Sequence, residues 1–229
     1  MTADLSRIFK AYDVRGTYPD ELDEATARRI GVAFARFAGT GRIVLGRDMR
    51  VSSPALAAAF AEGAAASGTD VVEVGEVSTD ALYFASGQLD LPGAMFTASH
   101  NPGHYNGIKL CRARAAPIGA DSGLQEIRAL SEQETADAGE RGTIAHLDVL
   151  GEYAAHCRSF VDERVLRPLH VAIDAANGMA GKTVPLVFRD LPFEVVPLYF
   201  ELDGTFPNHA ANPIEPENLV DLQEKVVAG

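Results

Sequence analysis

The sequence predicts an α/β fold in two parts, and three observations predict it. Short apolar runs of strand length alternate with longer stretches in which apolar residues recur at helical spacing. The connections between them are only a few residues long, as in packed strand–helix units. A polar segment without large apolar side chains, residues 131–143 (SEQETADAGERGT), separates a first series of elements from a second.

Each element has its own signal. Residues 23–37 place Ala27, Ile30, Phe34 and Phe37 at helical spacing, and Gly39 and Gly41 end that helix. Arg42–Leu45 (RIVL) reads as a buried strand. Ser52-Ser53-Pro54 then offers a serine cap and a proline preset for a first helical turn. It opens an alanine-rich helix over 54–67, closed by Gly68. Asp70–Val74 (DVVEV) reads as a second strand, 79–87 as a helix and Ala94–Thr97 as a third strand. After Ala98 the rhythm changes. SHNPGHYNG (99–107) has no apolar periodicity and leads into the short run Ile108–Cys111. Its Asn106-Gly107 pair predicts the tight turn that reverses the chain.

A helical stretch over 147–165 leads to the second unit. There Leu169–Ile173 reads as strand, AANGMAG (175–181) as turn, 182–189 as helix and Phe193–Leu198 as strand. Pro197 marks the end or edge of that last strand. Residues 203–216, with three prolines, read as loop before a final helix over 217–227. Two strands make a thin core. The expectation is therefore a first α/β domain over 1–148 and a second over 149–229 that is incomplete or dependent on a partner.

Composition excludes several classes. Of 229 residues 47% are hydrophobic and 23% charged, a globular balance. Twenty basic against 32 acidic side chains leave a net charge of −12, and no basic run offers a local groove, so no nucleic-acid partner is expected. The longest apolar stretch, Ala55–Ala61, is far too short to span a bilayer, so no membrane partner is expected either. Asp4, Arg7, Lys10, Asp13 and Arg15 break any signal-peptide core. Cys111 and Cys157 cannot form a disulfide framework. A cytoplasmic protein with reduced thiols is the expectation.

Four places carry residues suited to chemistry. Thr97-Ala98-Ser99-His100-Asn101-Pro102 sets a serine just past a buried strand, where backbone amides can form an anion nest and His100 can act as donor or base. The same residues are also ordinary turn formers. Lys10-Ala11-Tyr12-Asp13-Val14-Arg15-Gly16 suits contact with an oxyanion, or is a solvated arm. Gly46-Arg47-Asp48-Met49-Arg50 follows the first clear strand, at the sheet end where α/β proteins bind ligands; a surface Arg47–Asp48 pair is the plainer reading. Lys109 lies beyond the serine loop and returns towards Ser99 if the chain reverses.

Together IFKAYDVRG (8–16), GRDMR (46–50), TASHNP (97–102), YNGIK (105–109) and DAANGMAG (174–181) resemble the α-D-phosphohexomutase family, in its phosphomannomutase/phosphoglucomutase branch. The resemblance runs through nearly all of the chain and covers about the first half of a four-domain member. It implies a mixed-sheet α/β domain of phosphohexomutase type followed by a second, incomplete α/β domain. It also implies interconversion of hexose 1-phosphates and 6-phosphates of mannose or glucose. Ser99 would carry a phosphoryl group and give it to the sugar monophosphate, making a hexose bisphosphate intermediate. Lys109 matches a proposed general acid/base. Tyr12 and Arg15 match cleft residues, Lys10 and Asn101 join them in the expected substrate set, and His100 and Arg47 would support the serine loop.

A phosphoserine needs its charge offset by Mg²⁺ and cationic side chains. The metal would be met here only through the Ser99 phosphate, because the family's acidic D-x-D-x-D-R loop has no counterpart in this sequence. The sugar-binding loop and final phosphate-binding loop are also missing. The resemblance therefore implies that residues 1–229 alone lack mutase activity. A phosphoglucosamine mutase, or a non-catalytic sugar-phosphate binding or regulatory module, are the alternatives.

Overall fold

The computed structural model describes residues 5–133 and 139–228. Its first part is built on a mixed sheet of seven strands: β1 (Val14–Thr17), β2 (Arg42–Arg47), β3 (Asp70–Glu76), β4 (Gly93–Phe96), β5 (Tyr105–Arg112), β6 (Ala116–Pro117) and β7 (Ile144–His146). The order is β1-β5-β4-β2-β3-β7, with β6 pairing β5. Strands β4, β2, β3 and β7 run parallel, whereas β5 is antiparallel to both β4 and β1.

Four helices belong to this part: α1 (Glu24–Ala38), α2 (Ser53–Ala66), α3 (Thr79–Leu89) and α4 (Leu124–Ser131). The period-2 pattern of the strands sorts the core into two layers. Ile43, Leu45, Ala94 and Phe96 join Phe34 and Phe60 of α1 and α2 on one face. Val44 and Met95, one residue out of phase, join Ala81, Leu82 and Ala85 of α3 on the other. Asp23 caps α1 by accepting from the Thr26 amide, and Gly39, at φ 62°, closes it. Ser52 does not cap α2 as its type predicts. Its hydroxyl accepts instead from the buried Asn106 side chain at 2.8 Å.

The second part holds β8 (Leu169–Asp174) and β9 (Phe193–Leu198), a parallel pair joined through α6 (Ala180–Val187), with α7 (Val220–Ala228) beyond. Pro197 sits within β9, tolerated because β9, among the described residues, pairs on one side only, with β8. Helix α5 (Leu150–Ser159) leads into this part and packs Leu150 and Tyr153 on the α3 layer. No described helix is long and apolar enough to cross a membrane.

Two expectations are corrected, and one is filled in. The helix over 147–165 is broken after Ser159, and Asp162 caps a separate short turn at Glu163–Val165. At the end of the polar stretch 131–143, of which residues 134–138 lie outside the described set, the chain stays on the first part. Thr143 donates to Asp70 through its amide and hydroxyl, and β7 then adds to the first sheet. All three β7 residues are exposed, so no apolar alternation marks this edge strand. Asn106-Gly107 is not a turn but lies inside β5. The reversal comes earlier, between Ala98 and His104. Gly107 is needed for close packing: a Cβ there would lie 2.3 Å from the Val14 carbonyl oxygen and 3.0 Å from that of Thr97.

Candidate active site around the Ser99 loop

Ser99 sits just past the C-terminal end of β4, where scaffold hydrogen bonds give way to a free turn. Its backbone is left-handed, at φ 55°, a conformation uncommon outside glycine and maintained only where surroundings impose it. The Ser99 amide donates to Thr97 Oγ1 at 3.0 Å, and the Asn101 amide to the Ala98 carbonyl at 3.0 Å. Ser99 and His100 are exposed while Thr97 and Ala98 are buried, so the serine is presented outward from a fixed base.

What imposes that geometry is Arg50. Its guanidinium is fully buried and donates to four carbonyls of the loop and its exit: Ser99 at 2.8 Å, Asn101 at 2.7 Å, Pro102 at 2.8 Å and Tyr105 at 3.0 Å. Its Nε donates to Asp48 Oδ2 at 3.2 Å. The other Asp48 oxygen accepts from Ser53 Oγ at 2.6 Å, and Ser53 in turn accepts from Asn106 at 3.0 Å. Burial pushes the Arg50 pKa down from the usual arginine range, and the Asp48 carboxylate opposes that shift. Charged donors on neutral carbonyls in a buried site make strong bonds, and the planar fork spreads them over several acceptors.

The family resemblance gives a supporting role to Arg47, whereas the loop carbonyls here are bound by Arg50. Arg47 turns to the Asp48 carbonyl and to Glu76, both at 3.2 Å. Arg50 is in the same GRDMR motif, but nothing local distinguishes a buried arginine from a half-buried one three residues away. Only the partners, about fifty residues later in the chain, do so.

A second polar cluster adjoins the loop. Arg15 Nη1 donates to Asn101 Oδ1 at 2.7 Å, and Arg15 also pairs with Asp13. The same Asp13 oxygen accepts from Lys109 Nζ at 3.3 Å. Continuing the β1–β5 register places Asp13 across from Lys109, with the alternation of the pleat directing both to one face. Thus Lys109 and Arg15 share the nearly buried Asp13, and Arg15 carries the chain of contacts to the Ser99 loop. Arg15 Nε is buried with no hydrogen-bond partner among the described residues. Asp13 lies in the IFKAYDVRG motif, and its part follows from pairing across strands.

The remaining candidates are less engaged. Tyr12 is 82% exposed. The Lys10 ammonium donates to the Arg7 carbonyl at 2.5 Å and its backbone amide to the Asp13 carbonyl at 2.8 Å. His100 is exposed and makes no hydrogen bond among the described residues, and it lines the cavity beside Ser99. That cavity, about 390 Å³, lies between the two parts of the molecule. Ser78 and Asp80 at the start of α3 line it from the first part, and Met179 and Phe206 from the second.

These residues do not make a magnesium site. Asp48 spends both oxygens on Arg50 and Ser53, Asp80 stands alone, and no group of three or more His, Cys, Asp or Glu among the described residues is placed to hold a metal ion.

Comparison with known proteins agrees with this architecture. Residues 6–138 match the phosphoglucomutase/phosphomannomutase alpha/beta/alpha domain I, and residues 151–228 match domain II. A protein of Xanthomonas campestris described as phosphohexose mutases is 47% identical over 92% of this chain and 47% of its own length. An Escherichia coli phosphomannomutase is 40% identical over 95% of this chain and 50% of its own. The crystal structure of a phosphoglucomutase/phosphomannomutase family protein from Burkholderia thailandensis superimposes with a TM-score of 0.86 at 37% identity. It covers 100% of this chain and 51% of the Burkholderia one. A putative phosphomannomutase from Thermus thermophilus gives a TM-score of 0.85 at 29% identity, over 97% of this chain and 52% of its own. The chain therefore spans about half the length of the curated relatives it matches. With both of its parts matched in order, the chain belongs to the phosphoglucomutase/phosphomannomutase family.

Proposed function

We propose that residues 1–229 carry the phosphoryl-donor half of a hexose-phosphate mutase, with Ser99 as the phosphorylated residue. The observation that carries this reading is the outward, left-handed Ser99 set on a buried Arg50 clamp. A hydroxyl of a mannose or glucose monophosphate attacks the phosphorus of phosphoserine. The Oγ–P bond breaks, and Ser99 Oγ leaves with the bonding pair and takes up a proton. The attacking hydroxyl gives up its own proton, yielding a hexose bisphosphate. Return of the other phosphate to Ser99 completes the exchange.

In this reading residues 1–148 form the domain that presents the phosphoserine, and 149–229 form the second domain. Lys109 handles the proton or holds the transferring phosphate. Arg15, with Asn101, faces the phosphate, and Lys10, Tyr12, Arg47 and His100 complete the proposed substrate set, with His100 alone of these four lining the cavity beside Ser99. Charge neutralisation and positioning supply most of the catalysis in phosphoryl transfer. Mg²⁺ would neutralise phosphate charge, but its carboxylate ligands would come from outside these residues. Residues 1–229 alone should thus have no appreciable turnover. A cytoplasmic setting belongs to the same reading.

Intact mass on freshly isolated protein, with fragmentation to locate the modification, tests the reading. One phosphate of added mass on Ser99, lost in Ser99→Ala, is expected. Phosphate located elsewhere and retained in Ser99→Ala overturns it. Robust conversion of glucose 1-phosphate to glucose 6-phosphate by the purified chain overturns the claim of inactivity.

A further inference from the structure

Arg50 has two sides. One donates to the Ser99 loop; the other is closed by the second part of the molecule. The ring of Phe206 lies against the guanidinium, with Arg50 Cζ 5.2 Å from its centroid. Gly204 presses on the Arg50 backbone so closely that a Cβ there would come within 2.6 Å of Arg50 Cα and 2.8 Å of the Met49 carbonyl oxygen. The same turn touches the serine loop directly. A Cβ on Gly103 would fall 2.7 Å from the Gly204 carbonyl oxygen and 3.6 Å from Phe206 Cδ2.

The turn is itself held from behind. Asp203 Oδ1 accepts from the Thr205 amide at 2.8 Å and hydroxyl at 2.7 Å. The Asp203 amide donates to the Asn177 carbonyl at 3.0 Å, and the Phe206 amide to the Asp203 carbonyl at 3.1 Å. Phe206 is left-handed at φ 53°, as Ser99 is at 55°. Two strained, non-glycine backbones thus face one another across a single buried arginine.

We infer that the Gly204–Phe206 turn of the second part is a positioning element for the Ser99 loop, acting through Arg50. The physical case is one of access and of geometry. An arginine bonded to four carbonyls in a loop is only as fixed as its surroundings keep it. Water reaching its open side would compete for the same donors. The Phe206 face excludes that water and attracts the cation, an interaction that strengthens when both partners are desolvated. The glycines at 103 and 204 let the two loops approach to backbone contact, which a side chain at either position would prevent. The inference rests on the phosphoserine reading for its catalytic meaning, because a serine that carries a transferable phosphate must be set to a fraction of an ångström. The mechanical coupling stands without that reading.

Amide hydrogen exchange on the 229-residue chain tests it, comparing Phe206→Leu, Phe206→Tyr and wild type, with peptides covering 98–106 and controls in α1 and β2. Leucine keeps an apolar cover of similar depth but loses the aromatic face, whereas tyrosine keeps the face. Phe206→Leu should speed exchange in 98–106 about tenfold while the controls stay unchanged, and Phe206→Tyr should match wild type. Wild-type exchange in Phe206→Leu overturns the inference. So does an equal rise in all segments in both variants, which would make Phe206 a packing residue only. Mass on the same samples reports phosphate on Ser99 independently. Failure to find it there would count against the phosphoserine reading and leave the exchange comparison intact.

Discussion

The two parts of this molecule hold themselves together differently. In the first, strands β2 and β4 are covered on both faces, and Phe34, Phe60 and Phe96 are fully buried with edge-on or tilted contacts between rings. In the second, β8 and β9 carry mostly half-exposed or exposed side chains, and α6 and α7 have no buried residue. Its stability is drawn from polar ties and from the first part. Lys182 reaches the Glu76 carbonyl at 2.8 Å, His209 bridges Asp174 and the Ala210 carbonyl, and Gly204 seats on Arg50. The contrast teaches why the Ser99 loop sits where it does. The Ser99 loop follows a strand of the sheet that is covered on both faces, and the second part meets it through Gly204 and Phe206.

Core truncations should break that contrast first, if it is wrong. Phe96→Ala should cost about 3–5 kcal/mol in urea unfolding, since the site is dry and fully packed. Phe193→Ala, which removes a half-exposed ring packed 5.2 Å from Phe188, should cost less than about 2 kcal/mol. Equal losses would mean the second part has a core of the same quality.

Arg50→Met comes next. It strands the Asp48 carboxylate in a buried site and should cost about 3–5 kcal/mol. Arg50→Lys should recover little, because one ammonium cannot span the Asp48 carboxylate and four loop carbonyls. A lysine variant with the wild-type urea midpoint would show that the clamp needs only charge.

The polar ties of the second part predict a small pH dependence. Burial by itself pushes the His209 pKa down, but hydrogen bonds to the Ala210 carbonyl and to Asp174, with the added charge of Asp221, outweigh it and the net shift is upward from 6.5. Both ring nitrogens face acceptors, at 2.9 and 3.0 Å, so the doubly protonated ring satisfies both. A raised folded-state pKa contributes stability in full below the ordinary histidine value and loses it as pH climbs through the raised one. The loss should be under about 1 kcal/mol and absent in His209→Gln. A slope that survives in His209→Gln would assign the dependence to another group.

Ser99→Ala should change least. The residue is exposed and its hydroxyl makes no hydrogen bond among the described residues, so the stability change should stay within about 0.5 kcal/mol. A larger loss would make Ser99 a structural residue.

Much of this was written locally in the chain. The 3.6-residue spacing of Ala27, Ile30 and Phe34, the runs RIVL and DVVEV, and the capping signals around Asp23 and Gly39 place α1, β2 and β3 within a few residues. These features depend on the preferences of neighbouring residues and on which side of a strand or helix is apolar. The position of Ser99 after a buried strand was legible for the same reason, as was the proline-rich loop that contains Phe206. The exposed β7 and the short α4 were not, because one lacks alternation and the other spans barely two turns.

The tertiary structure decided which polar residues count. Arg47 and Arg50 are chemically alike in sequence, yet one pairs with Glu76 near the surface and the other disappears under the serine loop. Asn106-Gly107 has the composition of a turn and is nevertheless drawn into β5. There its amide side chain bonds Ser52 and Ser53, and its glycine lets Val14 and Thr97 close in. Asp13 becomes the shared partner of Arg15 and Lys109 only once β1 lies against β5. Local propensity is a difference of tenths of a kilocalorie to about one per residue. A buried donor or acceptor left without its partner costs more than that. Where partners are separated by dozens of residues, the need to satisfy them overrides what each segment prefers alone, and the site is fixed by contacts that no stretch of sequence contains.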